Sequence, residues 1–214
     1  MKREYSFSLG LRLAHWIRAF AIVILVVTGF YIAYVFVSPE VSSEPVLFLN
    51  AKMRAVHQIS GFVLLGCFIF KFYLFCFDKI SKKERASFYD FISPKQWIKQ
   101  IKCYLLFGAG PKLRGVYNPV QFMAYIGFYI LLAFICVTGF VLYAHVYHDG
   151  FAALIYTPAR AVELWLGGLA NVRVLHHISM WLIMIFALVH VYMVLYNNIR
   201  NKDGSIDGII SGYV

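Results

Sequence analysis

The chain has 214 residues, 61% of them hydrophobic and only 14% charged, yet 20 Lys and Arg against 10 Asp and Glu leave it a net charge of +10. Soluble domains hold about 45–50% apolar and about 25% charged residues, so this composition argues against a water-soluble globule and for a membrane protein. It also argues against disorder, with 20 Phe and 15 Tyr to bury, and against a nucleic-acid-binding module, whose positive charge would sit on a solvated surface.

Crossing the hydrocarbon core as a helix takes about 20 mostly apolar residues. Four segments are long enough. They are Trp16 to Val37, broken only by Arg18; Val56 to Phe77, broken by Lys71; the charge-free Val120 to Ala144; and Val174 to Tyr196. Open sheets cannot cross lipid, so the pattern predicts an all-α fold, a membrane-spanning four-helix bundle forming one domain over residues 1–214. Lys2, Arg3 and Arg12 precede the first run as in a signal peptide, but the run exceeds a signal core and no small-residue cleavage site follows, so it is expected to be retained. The first connection, Ser38 to Arg54, is short and holds Pro39 and Pro45. The second, Asp78 to Asn118, is long and basic; its Trp97, Ile98, Ile101, Tyr104 and Leu105, set among Lys95, Lys99 and Lys102, predict an amphipathic helix lying in the interface. A further surface helix is expected around Ala159 to Leu166. Val27-Thr28-Gly29-Phe30 and Val137-Thr138-Gly139-Phe140 echo each other between the first and third spans, too briefly to make a repeat.

An even number of spans puts both termini on the side of the Asp78 to Asn118 connection. Sixteen of the 20 Lys and Arg fall there, and only Lys52, Arg54, Arg160 and Arg173 fall on the other side, where Glu40, Glu44, Asp149 and Glu163 cancel them. Positive charge marks the cytoplasmic side, so both termini are expected in the cytoplasm, and the excess charge is a topology signal. Arg18 and Lys71 then lie within reach of the cytoplasmic interface.

Ionisable groups at membrane depth are costly and usually functional. Of seven histidines, His15 opens the first span at its inner end, His57 opens the second at its outer end, and His176 lies at the outer end of the fourth. His190 follows 14 residues later, within about 40° of the same helix face and about 21 Å along the axis. By depth and face, His57 pairs with His176 and His15 with His190. Two imidazoles projecting from facing helices are the axial ligands of an electron-transferring haem iron, so the four residues describe two haems stacked across the membrane. A metal-ion or proton pathway is the alternative. Cys67, Cys76, Cys103 and Cys136 form no C-x-x-C-H attachment sequence, so the haem would be non-covalent b type, and the cysteines themselves are expected to pack as small apolar residues. Gly61, one turn from His57, suits the face of a macrocycle; Gly29 and Gly139 suit either a macrocycle or helix packing. Arg12, Arg18 and Lys71 could meet haem propionates, a quinone oxygen or lipid headgroups. His145 and His148 are expected to be exposed.

Arg12-Leu13-Ala14-His15-Trp16-Ile17, followed by an apolar run ending in Thr28-Gly29, resembles the first signature of the b-type cytochrome subunit of membrane-bound nickel-iron hydrogenases. Arg173-Val174-Leu175-His176-His177-Ile178, followed by Trp181, Phe186 and His190, resembles the second, with Val174 where a smaller residue is expected. The likeness runs through all four spans. It implies a dihaem anchor in the bacterial cytoplasmic membrane that binds the hydrogenase small and large subunits on the periplasmic side. Electrons from the small subunit's iron-sulfur clusters would reach the outer haem, held by His57 and His176, then the inner haem, held by His15 and His190, and finally a quinone. No cysteine set here could hold nickel, so hydrogen chemistry would belong to the partners. Two other functions compete, the related anchor of a formate dehydrogenase or thiosulfate reductase and a haem-free four-helix transporter or receptor.

Overall fold

Hydrocarbon offers no water to a peptide group, so a spanning segment must close its own backbone hydrogen bonds, as a helix does. The computed structural model describes residues 5, 7–34, 48–105, 107, 110–200 and 204–213, and these are all-α. In order they form α1 (Leu9–Tyr34), α2 (Leu49–Phe77), α3 (Lys82–Ile92), α4 (Pro94–Tyr104), α5 (Pro119–Val146), α6 (Phe151–Trp165), α7 (Leu169–Arg200) and α8 (Ser205–Ser211). Helices α1, α2, α5 and α7 are each long and apolar enough to cross a membrane. The four expected spans fall on them, apart from residues 35–37, which with residues 38–47 lie outside the described set. The helices overrun the apolar runs: α2 takes up Lys52 and Arg54, expected in the connection, as part of its first turns.

The helix expected from the 97–105 pattern forms as α4, and α3 precedes it unforeseen. Helix α6 runs from Phe151 straight through Pro158, beginning two turns before the expected Ala159, although a proline forgoes one helical hydrogen bond. It ends where Gly167 (φ 84°) and Gly168 (φ 97°) enter the left-handed region and return their N–H groups to the carbonyls of Leu164 and Glu163, a Schellman closure that only glycine makes without strain.

The chain divides into two compact units, one of residues 1–12, 69–132 and 185–214, the other of residues 13–68 and 133–184. In the second unit the spans bury mostly small or polar residues at helical spacing, Ala14, Ala21 and Thr28 on α1 and Ser60, Leu64 and Cys67 on α2, so that backbones approach closely. Phe30 meets Trp181 edge-on, and Phe62 packs among Phe140, Tyr143 and Phe151. The opposite faces are apolar and open, with Phe20 64%, Ile59 64% and Val27 57% exposed, as expected of surfaces that lipid covers.

Polar contacts organise the first unit. Asp90 Oδ2 accepts from the backbone N–H groups of Arg114 and Gly115, and Ser87 Oγ accepts from that of Tyr117, so α3 holds the segment leading into α5. Asn118 and Gln121 then bond each other's N–H groups in a capping box, with Pro119 at the first helical position. Lys71 Nζ donates to Glu84 Oε2 at 2.7 Å, with side chains only 13% and 8% exposed. Tyr117 donates its hydroxyl to the other Glu84 oxygen at 3.0 Å; burial, then the Glu84 charge, push this phenol well above its ordinary pKa, so it stays a neutral donor. Arg12 and Phe7 bond the carbonyls of Ile210 and Gly212, which ties α8 to the start of α1.

Because Glu84 neutralises a cation carried by a spanning helix, Glu84→Ala should destabilise the protein by about 3–5 kcal/mol, the cost of leaving a buried charge unpaired. Removing both charges in Lys71→Met, Glu84→Leu should recover most of that loss; thermal unfolding in detergent measures both.

Candidate functional site

His57 lies in the third turn of α2 and His176 in the second turn of α7, both within the second unit. Their ring centroids lie 6.4 Å apart with planes inclined at 60°. Each Nδ1 lies 2.9 Å from a threonine hydroxyl, Thr28 on α1 for His57 and Thr138 on α5 for His176. Thr28 is 4% exposed and Thr138 0%, so both contacts are shielded from solvent. The glycine after each threonine packs on the same ring. A Cβ added at Gly29 would come 3.4 Å from His57 Cε1, and one at Gly139 would come 3.6 Å from His176 Cε1. Both glycines are therefore small because an imidazole edge lies against them, a third option beside the two expected. A Cβ at Gly61 or Gly66 would meet nothing within 4 Å.

The donor set can be tested against the haem that the sequence suggests. Metal–imidazole bonds are about 2 Å long, as at zinc, so rings bound on opposite sides of one ion place their nitrogens about 4 Å apart and their centroids one ring radius further out on each side. A centroid separation of 6.4 Å fits that arrangement. Among the described residues no group of three or more His, Cys, Asp or Glu could hold a metal ion. With two protein donors, an ion at this spacing would need the further ligands that a macrocycle supplies, and Gly61, one turn beyond His57, leaves room on α2 for a flat face. The residues present fit a haem.

The second expected pair is divided between the units. His15, in the second, stands edge-on to Trp16, with centroids 5.3 Å apart. His190, in the first, lies parallel to Phe186 (5.9 Å, 9°) with Tyr125 edge-on at 6.0 Å. Arg18 is half-buried one turn after His15, while Lys71 already carries Glu84. His145 and His148 are exposed as expected, but His145 Nδ1 is also 3.9 Å from Glu163, a carboxylate that binds Arg160 at 2.5 Å. All four cysteines are free; Cys67 is buried as a packing residue, whereas Cys76 is exposed.

Thr28 and Thr138 are the site residues that sequence reasoning did not single out. A signal for them exists, because the echo of Val-Thr-Gly-Phe is followed by a second echo. His57-Gln58-Ile59-Ser60 matches His176-His177-Ile178-Ser179, and Ser60 and Ser179 are both buried.

Comparison with known proteins gives the family of the chain. The family model described as prokaryotic cytochrome b561 matches residues 6–212. A probable Ni/Fe-hydrogenase 1 B-type cytochrome subunit of Escherichia coli (strain K12) is 30% identical over 98% of this chain and 90% of its own length. Probable Ni/Fe-hydrogenase B-type cytochrome subunits are 27% identical in Rhizobium leguminosarum bv. viciae, over 97% of this chain and 87% of their own length, and 26% identical in Cupriavidus necator, over 100% and 87%.

The contact at Gly29 yields a graded prediction. Gly29→Ala, whose Cβ makes an ordinary contact with His57, should retain its haem, whereas Gly29→Leu drives a branched side chain into the ring and should lower the haem bound per chain. A pyridine haemochrome assay against protein concentration distinguishes the two.

Proposed function

The chain belongs to the prokaryotic cytochrome b561 family, and on that premise we propose that it anchors a periplasmic nickel-iron hydrogenase to the membrane and carries that enzyme's electrons to a quinone. It is a multi-pass membrane cytochrome b of electron transport, consistent with the bacterial inner membrane, and its cofactor is haem b. The observation that carries the proposal is the His57–His176 pair, two imidazoles from different helices with centroids 6.4 Å apart.

When bound, haem b supplies reversible one-electron exchange at its iron. The chain's residues set the terms. His57 and His176 would hold the outer haem and His15 and His190 the inner one, histidine ligation that suits electron transfer rather than substrate binding. Arg18, and Lys71 through the donor capacity left beside Glu84, meet propionates or a quinone oxygen near the cytoplasmic surface. The positive charge on both termini and on the Asp78 to Asn118 connection keeps that surface inward. The hydrogenase small and large subunits dock on the opposite, periplasmic side, and lipid covers the open apolar faces of the spans.

A reduced-minus-oxidised spectrum of the purified chain should show two b-type contributions, and His57→Ala should remove one and leave the other. A chain without b-type absorption, or a His57→Ala variant that keeps both contributions, would overturn the proposal.

A further inference from the structure

The two echoes fall on equivalent helix pairs. Helix α1 brings Val27-Thr28-Gly29-Phe30 to the His57-x-Ile-Ser60 face of α2, and α5 brings Val137-Thr138-Gly139-Phe140 to the His176-x-Ile-Ser179 face of α7. In each copy the threonine touches Nδ1 of the histidine and the glycine abuts its Cε1.

The direction of each threonine–histidine bond follows from counting hydrogens. Thr28 Oγ1 lies 2.7 Å from the carbonyl of Ile24, and Thr138 Oγ1 lies 3.1 Å and 3.0 Å from those of Phe134 and Ile135. A carbonyl can only accept, so each hydroxyl spends its single hydrogen there; otherwise the contact would set lone pair against lone pair. The hydroxyl oxygen can then only accept from the ring, and Nδ1 carries the proton. In a neutral imidazole that leaves the lone pair on Nε2, the nitrogen that a metal takes up. The bond also pins the plane of each ring, since rotation about the Cβ–Cγ bond would break it.

We propose that these sequences are a duplicated half-site in which Thr28 and Thr138 act as positioning residues, fixing the Nδ1–H tautomer and ring plane of His57 and His176 and thereby setting the potential of the iron between them. The proposal rests on ligation by these two histidines. An acceptor on Nδ1–H raises the electron donation of Nε2 and favours ferric iron, so each threonine lowers the reduction potential of the centre that receives the hydrogenase's electrons, a bias toward passing them on.

The test uses the purified holo-cytochrome and its Thr28→Val, Thr138→Val and double variants, with Thr28→Ser and Thr138→Ser as the conservative controls that keep the hydroxyl. Spectroelectrochemical titration should show one of the two transitions moving to higher potential in each valine variant and further in the double. The EPR anisotropy of the ferric centre, which responds to the angle between the imidazole planes, should change with it. Haem dissociation should quicken by about 10–100-fold, the usual penalty for losing a residue that orients a metal ligand. The serine variants should titrate and resonate as the parent does. Valine variants with unchanged potential and EPR, or serine variants that shift as far as valine, would overturn the positioning role. His57→Ala separates the two levels of inference. If it keeps both haems, ligation itself is wrong; if it loses one while the valine variants behave as the parent, only the role of the threonines is wrong.

Discussion

A polar group inside a bilayer has no water to fall back on, so it must find a partner in the protein or in something the protein binds. In the second unit the rule accounts for Thr28, Thr138 and Ser179. Ser179 and the two threonines return their hydroxyls to carbonyls of their own helices, and each threonine oxygen meets an imidazole nitrogen. One nitrogen of each ring is thereby engaged. Helix packing follows from the same contacts, since Thr28 and Gly29 can touch His57, and Met180 can approach Gly29, only if small residues line the seams between helices.

Outside the hydrocarbon the rule relaxes and different forces hold the chain. Side-chain to main-chain bonds from Asp90, Ser87, Asn118 and Gln121 connect α3, the segment before α5 and the start of α5, beside ring contacts of Phe88 and Phe91 with the buried Phe122. The Lys71–Glu84 pair joins the two regimes, linking a cation on a spanning helix to a carboxylate on a surface helix. A charge in that position is tolerable because its partner is held in turn by Tyr117.

The long apolar runs made the four spans legible, because hydrocarbon thickness translates directly into residue count. Their ends were less so. Apolarity measures contact with lipid rather than helicity, and α2 keeps its hydrogen bonds through Lys52 and Arg54 into the interface. Helix α3 escaped notice because Lys82, Lys83, Glu84 and Arg85 give it no apolar stripe; what it buries is Glu84, Ser87 and Asp90, polar groups with specific partners and no periodic signature. Of the candidate site, the approach of His57 to His176 was readable from position alone, while Thr28 and Thr138 were visible only as an unexplained echo. Their meaning depends on which turn of α1 faces which turn of α2, and of α5 faces α7, and that is decided by packing between residues 29 and 38 positions apart.

At the centre of the account stands the proposed sharing of one iron by His57 and His176, with a second iron shared by His15 and His190. Magnetic spectroscopy of the fully oxidised holo-cytochrome, combining EPR with near-infrared magnetic circular dichroism, reports the axial ligands of each ferric centre without reference to activity. It should find two low-spin centres, each with two imidazoles. A single centre, or one that is high-spin or carries a ligand other than histidine, would contradict the account.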